Sequence, residues 1–159
     1  SGSMSKWSVF SVLIFAACLS GQSTQKTNEA YVQDLKSGDP ALQREACKQL
    51  GLRRADNTVE AITALLTSST DVDVQVSAAA ALGEIAEVRS TSPLLKVLNT
   101  NPSPRLQYAS LAALGGIARI NGTGKHKAAV IEAATRVKSG STDSLLQDLA
   151  DKIIQMYQK

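Results

Sequence analysis

The sequence predicts an all-α fold, an αα-superhelix of about three to four helical-hairpin repeats, and three observations carry that prediction. Leu50-Gly51, Leu82-Gly83 and Leu114-Gly115 recur 32 residues apart, and at the same offset stand Asp39, Asp71 and Ser103, Leu42-Gln43, Val74-Gln75 and Leu106-Gln107, and Ala46, Ala78 and Ser110. Around each Leu-Gly pair the apolar residues keep helical spacing. Third, aromatic residues make up only 4%, and Trp7, Phe10 and Phe15 fall in the first seventeen positions, so the repeats hold no Phe and no Trp. An interior of Ala, Leu, Val and Ile suits helices that approach closely, where rings would overpack. The three tyrosines, Tyr31, Tyr108 and Tyr157, are expected to decorate the surface.

The chain opens with an address rather than a fold. Ser1-Gly2-Ser3 ahead of Met4 (residues 1–3) reads as a cloning scar, and residues 4–17 read as a signal peptide with Lys6 before the apolar run Val9 to Ala17. That run is shorter than the roughly 20 residues a membrane-spanning helix needs. Phe15-Ala16-Ala17-Cys18 resembles a bacterial lipobox, with Phe15 where such motifs usually carry Leu. The resemblance implies that Cys18 is lipidated and that residues 18–27 form a polar tether, which places the protein in the cell envelope, lipid-anchored to a bacterial membrane. The alternatives are a periplasmic or secreted protein cleaved a few residues later, and an intracellular protein with an N-terminal helix.

Residues 28–159 then form the repeat domain. Residues 28–38, with Tyr31, Val32 and Leu35, predict a lone amphipathic helix covering the first repeat. In each repeat the first helix is apolar over a wide arc: Val72, Val76, Ala79, Ala80 and Gly83 on one face, Val74, Ala78, Leu82 and Ile85 on the next, which predicts a helix sandwiched between neighbours. The second helix is more amphipathic, with Val59, Ile62, Leu65 and Leu66, then Leu94, Leu95, Val97 and Leu98, then Val130, Ala133, Ala134 and Val137. Asp39-Pro40, Ser92-Pro93 and Ser103-Pro104 predict N-caps followed by proline in the first turn, and Asn57 with Glu60 predicts a capping box. A fourth copy starts at Thr142-Asp143, 40 residues on rather than 32, so eight residues have been added inside the third repeat, and a helix over 143–157 closes the array.

The pattern apolar-x-x-x-Ala-x-x-Ala-Leu-Gly resembles HEAT-like repeats, in particular the short bacterial form found in phycobilisome-lyase-type proteins, and residues 71–85 match it best. The resemblance implies a HEAT-like solenoid over residues 28 to 157 and says little of activity. Where these repeats usually carry Arg, this chain has Gln43, Gln75, Gln107 and Gln147, from which a ladder of amides between successive repeats is expected.

Catalytic chemistry finds few residues to work with. His126 is the single histidine and stands between Lys125 and Lys127, so a triad, a Cys–His pair or a histidine-rich metal site is excluded, and a solvated loop residue is expected. Cys47, beside Ala46, reads as a small core filler. Gly122-Thr123-Gly124 lacks the strand and the Lys-Ser pair of a phosphate loop and reads as a turn. The net charge of +3 is too small for a nucleic-acid footprint. Charge is nonetheless uneven: residues 119–138 carry Arg119, Lys125, Lys127, Arg136 and Lys138 against Glu132 alone, whereas residues 18–100 hold eight cations and ten carboxylates. With His126 these basic residues, Arg136 apart, form a basic loop that could meet an anionic surface.

The sequence therefore predicts a non-catalytic protein–protein interaction scaffold, a monomer without metal or cofactor. Its partner is expected to be another envelope protein, and its second contact the membrane, through the lipid anchor. The partner is expected on the concave face of the second helices, at Glu60, Thr63, Thr67, Lys96, Asn99, Glu132 and Arg136. The alternatives are an enzyme or enzyme accessory of the bilin-lyase type, which would need a chromophore pocket, and a purely structural secreted protein.

Overall fold

A computed structural model describes residues 25–159; the signal peptide expected at 4–17, Cys18 and most of the tether expected at 18–27 lie outside the described residues. Among the described residues there are eight α-helices and no strand: α1 Asn28–Leu35, α2 Pro40–Leu52, α3 Val59–Ser68, α4 Val72–Ile85, α5 Thr91–Thr100, α6 Pro104–Asn121, α7 Lys127–Gly140 and α8 Ser144–Gln158. The fold is an α-solenoid.

The even helices start where the sequence places a capping oxygen. The side chains of Asp39, Asp71, Ser103 and Asp143 accept hydrogen bonds from Ala41, Val74, Leu106 and Leu145 at 2.9, 3.1, 3.4 and 2.9 Å, and Thr27 caps α1 in the same way. Each such cap contributes about 1 kcal/mol. The odd helices α3, α5 and α7 behave differently: short 3₁₀ turns, Asp56–Thr58, Val88–Ser90 and Gly124–His126, lead into them and no side-chain cap forms. Asn57 therefore sits inside a turn and makes no capping box with Glu60. Ser92 and Pro93 lie inside the first turn of α5, which starts at Thr91; that turn tolerates proline because its N–H groups have no helical acceptor.

Two layers result. α2, α4, α6 and α8 pack side by side along their lengths, whereas α3, α5 and α7 touch one another at few points; each odd helix packs instead on the even helix that follows it. The hairpins are thus α1–α2, α3–α4, α5–α6 and α7–α8, half a repeat out of phase with the pairing read from the sequence. α1 is the first member of the first hairpin rather than a separate cover. The turn glutamines explain the tightness of these hairpins: the amides of Gln43 and Gln107 donate to the carbonyls of Leu35 and Asn101 at 3.1 and 3.3 Å, and Gln147 donates to Ser141. They satisfy carbonyls at the end of the preceding helix, inside one hairpin, so the expected ladder between repeats is not what these amides build. Ion pairs do link successive repeats: Asp73 on α4 meets Arg105 of α6 at 2.6 Å and Arg44 of α2 at 3.8 Å.

The Leu-Gly pairs mark where even helices meet. Leu50, Leu82 and Leu114 are fully buried, while a Cβ at Gly51 would stand 3.1 Å from the Cα of Ala81 and one at Gly83 only 2.7 Å from the Cα of Ala113. Glycine is required at 83, where the next helix backbone occupies the space of a methyl group, whereas at 51 a methyl would need its neighbour to give by a few tenths of an ångström. At Gly115 the neighbour is the Cδ1 of Ile153, a side-chain tip, so α8 seals the layer less tightly. Tyr157 corrects the expectation of surface tyrosines: it is 1% exposed, and its hydroxyl donates to the Leu114 carbonyl at 2.8 Å. The eight added residues divide evenly. Against the 32- and 40-residue offsets, α6 runs four residues beyond the end of α4 and α7 begins four residues earlier than α5.

Candidate partner-binding face

A stack that is tight in one layer and loose in the other curves toward the tight one. The even layer is therefore the inner side, and the residues expected to line a concave second-helix face lie on the looser, outer layer. There Glu60, Thr67, Lys96, Asn99, Glu132 and Arg136 are exposed and Thr63 is half-buried. Several are tied to the scaffold itself. Arg89 reaches Glu60 at 3.4 Å and the Asp56 carbonyl at 2.6 Å, Arg136 holds Glu132 at 3.2 Å and also Asn99, and the Thr67 hydroxyl donates to the carbonyls of Thr63 and Ala64. Lys96 makes no ion pair among the described residues.

The basic loop does not come together as one patch. Lys138 pairs with Asp151 at 2.8 Å, Lys127 donates to the Gln158 carbonyl at 3.3 Å, and Lys125 and His126 stay on the 3₁₀ turn, where His126 is half-buried. Arg119 points elsewhere, into a trough on the inner face.

That trough is the feature the sequence reading missed. It has a volume of about 610 Å³ and runs over α2, α4 and α6, with Leu52, Tyr108 and Ile120 as its apolar walls, Ala80 and Ala112 on its floor, and Arg54, Glu84 and Arg119 as its charges. Leu52 and Ile120 are 64% and 62% exposed, values that single out large aliphatic side chains turned to solvent. Tyr108 also belongs to a second groove, with Val76 and Leu145, which continues the apolar surface onto α8; a third, with Arg44, Lys48 and Ala80, continues it onto the start of α2. The signal was present in the wide apolar arc of the first helices. Val74, Ala78, Leu82 and Ile85 are buried in the sandwich, but Val76 is half-buried and Ala80 exposed, since that side of α4 faces the trough.

Arg54 and Arg119 reach the trough through the backbone. Arg54 sits just past the end of α2 at φ +50°, and Ala86 occupies the same place in the next repeat at φ +61°. This left-handed residue turns the chain off the helix end, and in doing so it sets the Arg54 side chain at the trough's edge. Arg119 stands on the four-residue extension of α6, as does Ile120. The added residues thus supply one wall.

Cys47 is fully buried, and burial pushes its thiol up to about 12 from 9.0, so it is neutral and shielded. Among the described residues no cluster of His, Cys, Asp and Glu could hold a metal ion, and no helix is long and apolar enough to cross a membrane. Compared with known families, residues 28–115 match HEAT repeats. No curated protein matches the chain.

Proposed function

The chain belongs to the HEAT repeat family, whose arrays commonly serve as protein-interaction scaffolds, and from that premise we propose that it is a non-catalytic scaffold of the bacterial envelope that holds a partner protein on its inner face. One observation carries the reading. Leu52, Tyr108, Ile120 and Leu145 stand exposed in neighbouring grooves of one face, and Leu52, Ile120 and Leu145 are the most exposed large hydrophobic side chains among the described residues. A contiguous apolar surface rimmed by charges is what a protein interface presents in its free state.

Cys18 supplies the address in this reading: its sulfur takes a diacylglycerol before cleavage, and residues 18–27 are the polar tether between that anchor and the array. Such a tether keeps the array close to the membrane and free to turn its inner face to a neighbour. The test is a photo-crosslinking residue placed at Tyr108 and, separately, at Lys96 in the full chain in its native host. Specific capture of one protein at either position is expected, with capture favoured from Tyr108. If neither position traps a specific protein, the scaffold role is wrong. The anchor is tested apart, by membrane fractionation of Cys18→Ala, which should move the protein to the soluble fraction; retention on the membrane refutes lipidation at Cys18.

A further inference from the structure

We infer that the trough over α2, α4 and α6 takes an amphipathic helix of another protein, a helix with a Leu-rich face and carboxylates on its flanks; this rests on the scaffold role proposed above. The apolar part of the argument is geometric. Leu52 on α2 and Ile120 on α6 stand on either side of α4 near the C-terminal ends of their helices, Tyr108 stands about three turns back along α6, and the small Ala80 and Ala112 let a helix lie close enough for its own large side chains to reach all three. A flat strand would leave that depth unfilled.

The charge part selects the partner's sign. On the inner face Arg44 and Arg105 are both engaged by Asp73, at 3.8 and 2.6 Å. Lys48, Arg54 and Arg119 make no ion pair among the described residues. Glu45 and Asp143, in the neighbouring grooves, keep their charge while accepting from Gln49 and capping α8, but the trough itself carries Arg54 and Arg119 against Glu84 alone. That local excess of one positive charge favours an acidic visitor and disfavours a basic one. The two arginines at the trough also suit carboxylates better than lysines would, because a guanidinium presents a planar fork of donors.

The experiment uses the full chain and two labelled peptides of about 18 residues, roughly five helical turns, with Leu on one face and either Glu or Lys on both flanks. Fluorescence anisotropy should show the Glu peptide binding at least about tenfold more tightly than the Lys peptide. Arg54→Glu with Arg119→Glu should reverse that preference, and Leu52→Ser with Ile120→Ser should weaken the Glu peptide about tenfold, both without change in the helical circular dichroism. These positions are exposed, so a loss of fold is not what the variants would report. Equal binding of the two peptides, no binding of either, or a preference that survives the arginine reversals overturns the assignment. So does a concentration-dependent dimer that Leu52→Ser/Ile120→Ser abolishes, since the trough then holds a second copy. If crosslinking at Tyr108 traps a protein while the peptides fail, the scaffold role stands and the acidic helix falls.

Discussion

Gly83→Ala is the substitution that most directly probes how the repeats are joined. An added Cβ would stand 2.7 Å from the Cα of Ala113 and 2.9 Å from its Cβ, where carbon atoms in ordinary contact keep about 3.5–4.0 Å. The obstacle is backbone, so relief requires α6 to move away from α4 by most of an ångström along a contact that runs the length of both helices. Overpacking of this kind costs about 1–3 kcal/mol, and because the obstacle is backbone the upper half of that range applies; the better helix propensity of alanine returns about 1 kcal/mol, leaving a net loss of up to about 2 kcal/mol. Gly115→Ala is the control, because its closest neighbour is the Cδ1 of Ile153 at 2.8 Å, a terminal methyl that can rotate away. There the propensity gain of about 1 kcal/mol offsets the cost of moving that methyl, and the change should fall within about 0.5 kcal/mol of zero. Urea denaturation followed by circular dichroism measures both. If Gly83→Ala is as stable as the parent, or Gly115→Ala is the more damaging of the two, then the Leu-Gly period does not report backbone contact between even helices.

Three further outcomes follow from buried polar groups. Ser110 is fully buried with no partner for its hydroxyl among the described residues, and its aligned positions are Ala46 and Ala78, so Ser110→Ala should raise stability by about 1 kcal/mol in the same urea assay. Tyr157→Phe removes the hydrogen bond to the Leu114 carbonyl and leaves that acceptor buried, which should cost about 1–2 kcal/mol and lower the melting temperature by several degrees. Burial pushes the Cys47 thiol from 9.0, and the Tyr157 hydroxyl from 10.0, up to about 12. The unfolded chain therefore releases both protons first: stability from these groups is complete below about pH 9 and declines as pH rises toward 12. A pH series of melting curves should show that decline, with its onset moved from near pH 9 to near pH 10 by Cys47→Ala.

Periodicity was enough to find the helices, and residue type ahead of a proline found two of the caps, Asp39 and Ser103. Periodicity could not locate the hairpins. A repeat read from self-similarity can be cut at any point, and only the packing of α3 on α4 and of α5 on α6 shows where the unit begins. The same ambiguity assigned the expected face to the looser layer. Glu60, Lys96 and Arg136 are polar and exposed, which drew attention to them, whereas nothing in the spacing marks Leu52 and Ile120 as turned to solvent. Spacing also could not tell that Tyr157 turns inward, since that depends on a carbonyl 43 residues away that only the fold brings near.

The lengthening of α6 and α7 adds length in whole turns. Four residues rotate a helix by about 400°, so each extension returns to its starting orientation with an error of only about 40°. Of the four residues added to α6, Ala118 remains in the core while Arg119, Ile120 and Asn121 face outward, and the Asn121 amide docks on the Ala86 carbonyl at 2.6 Å. The third hairpin is thus a margin at which the array can grow or be trimmed without reassigning any interior position. Recognition at that edge can change on a different timetable from the stability of the stack behind it.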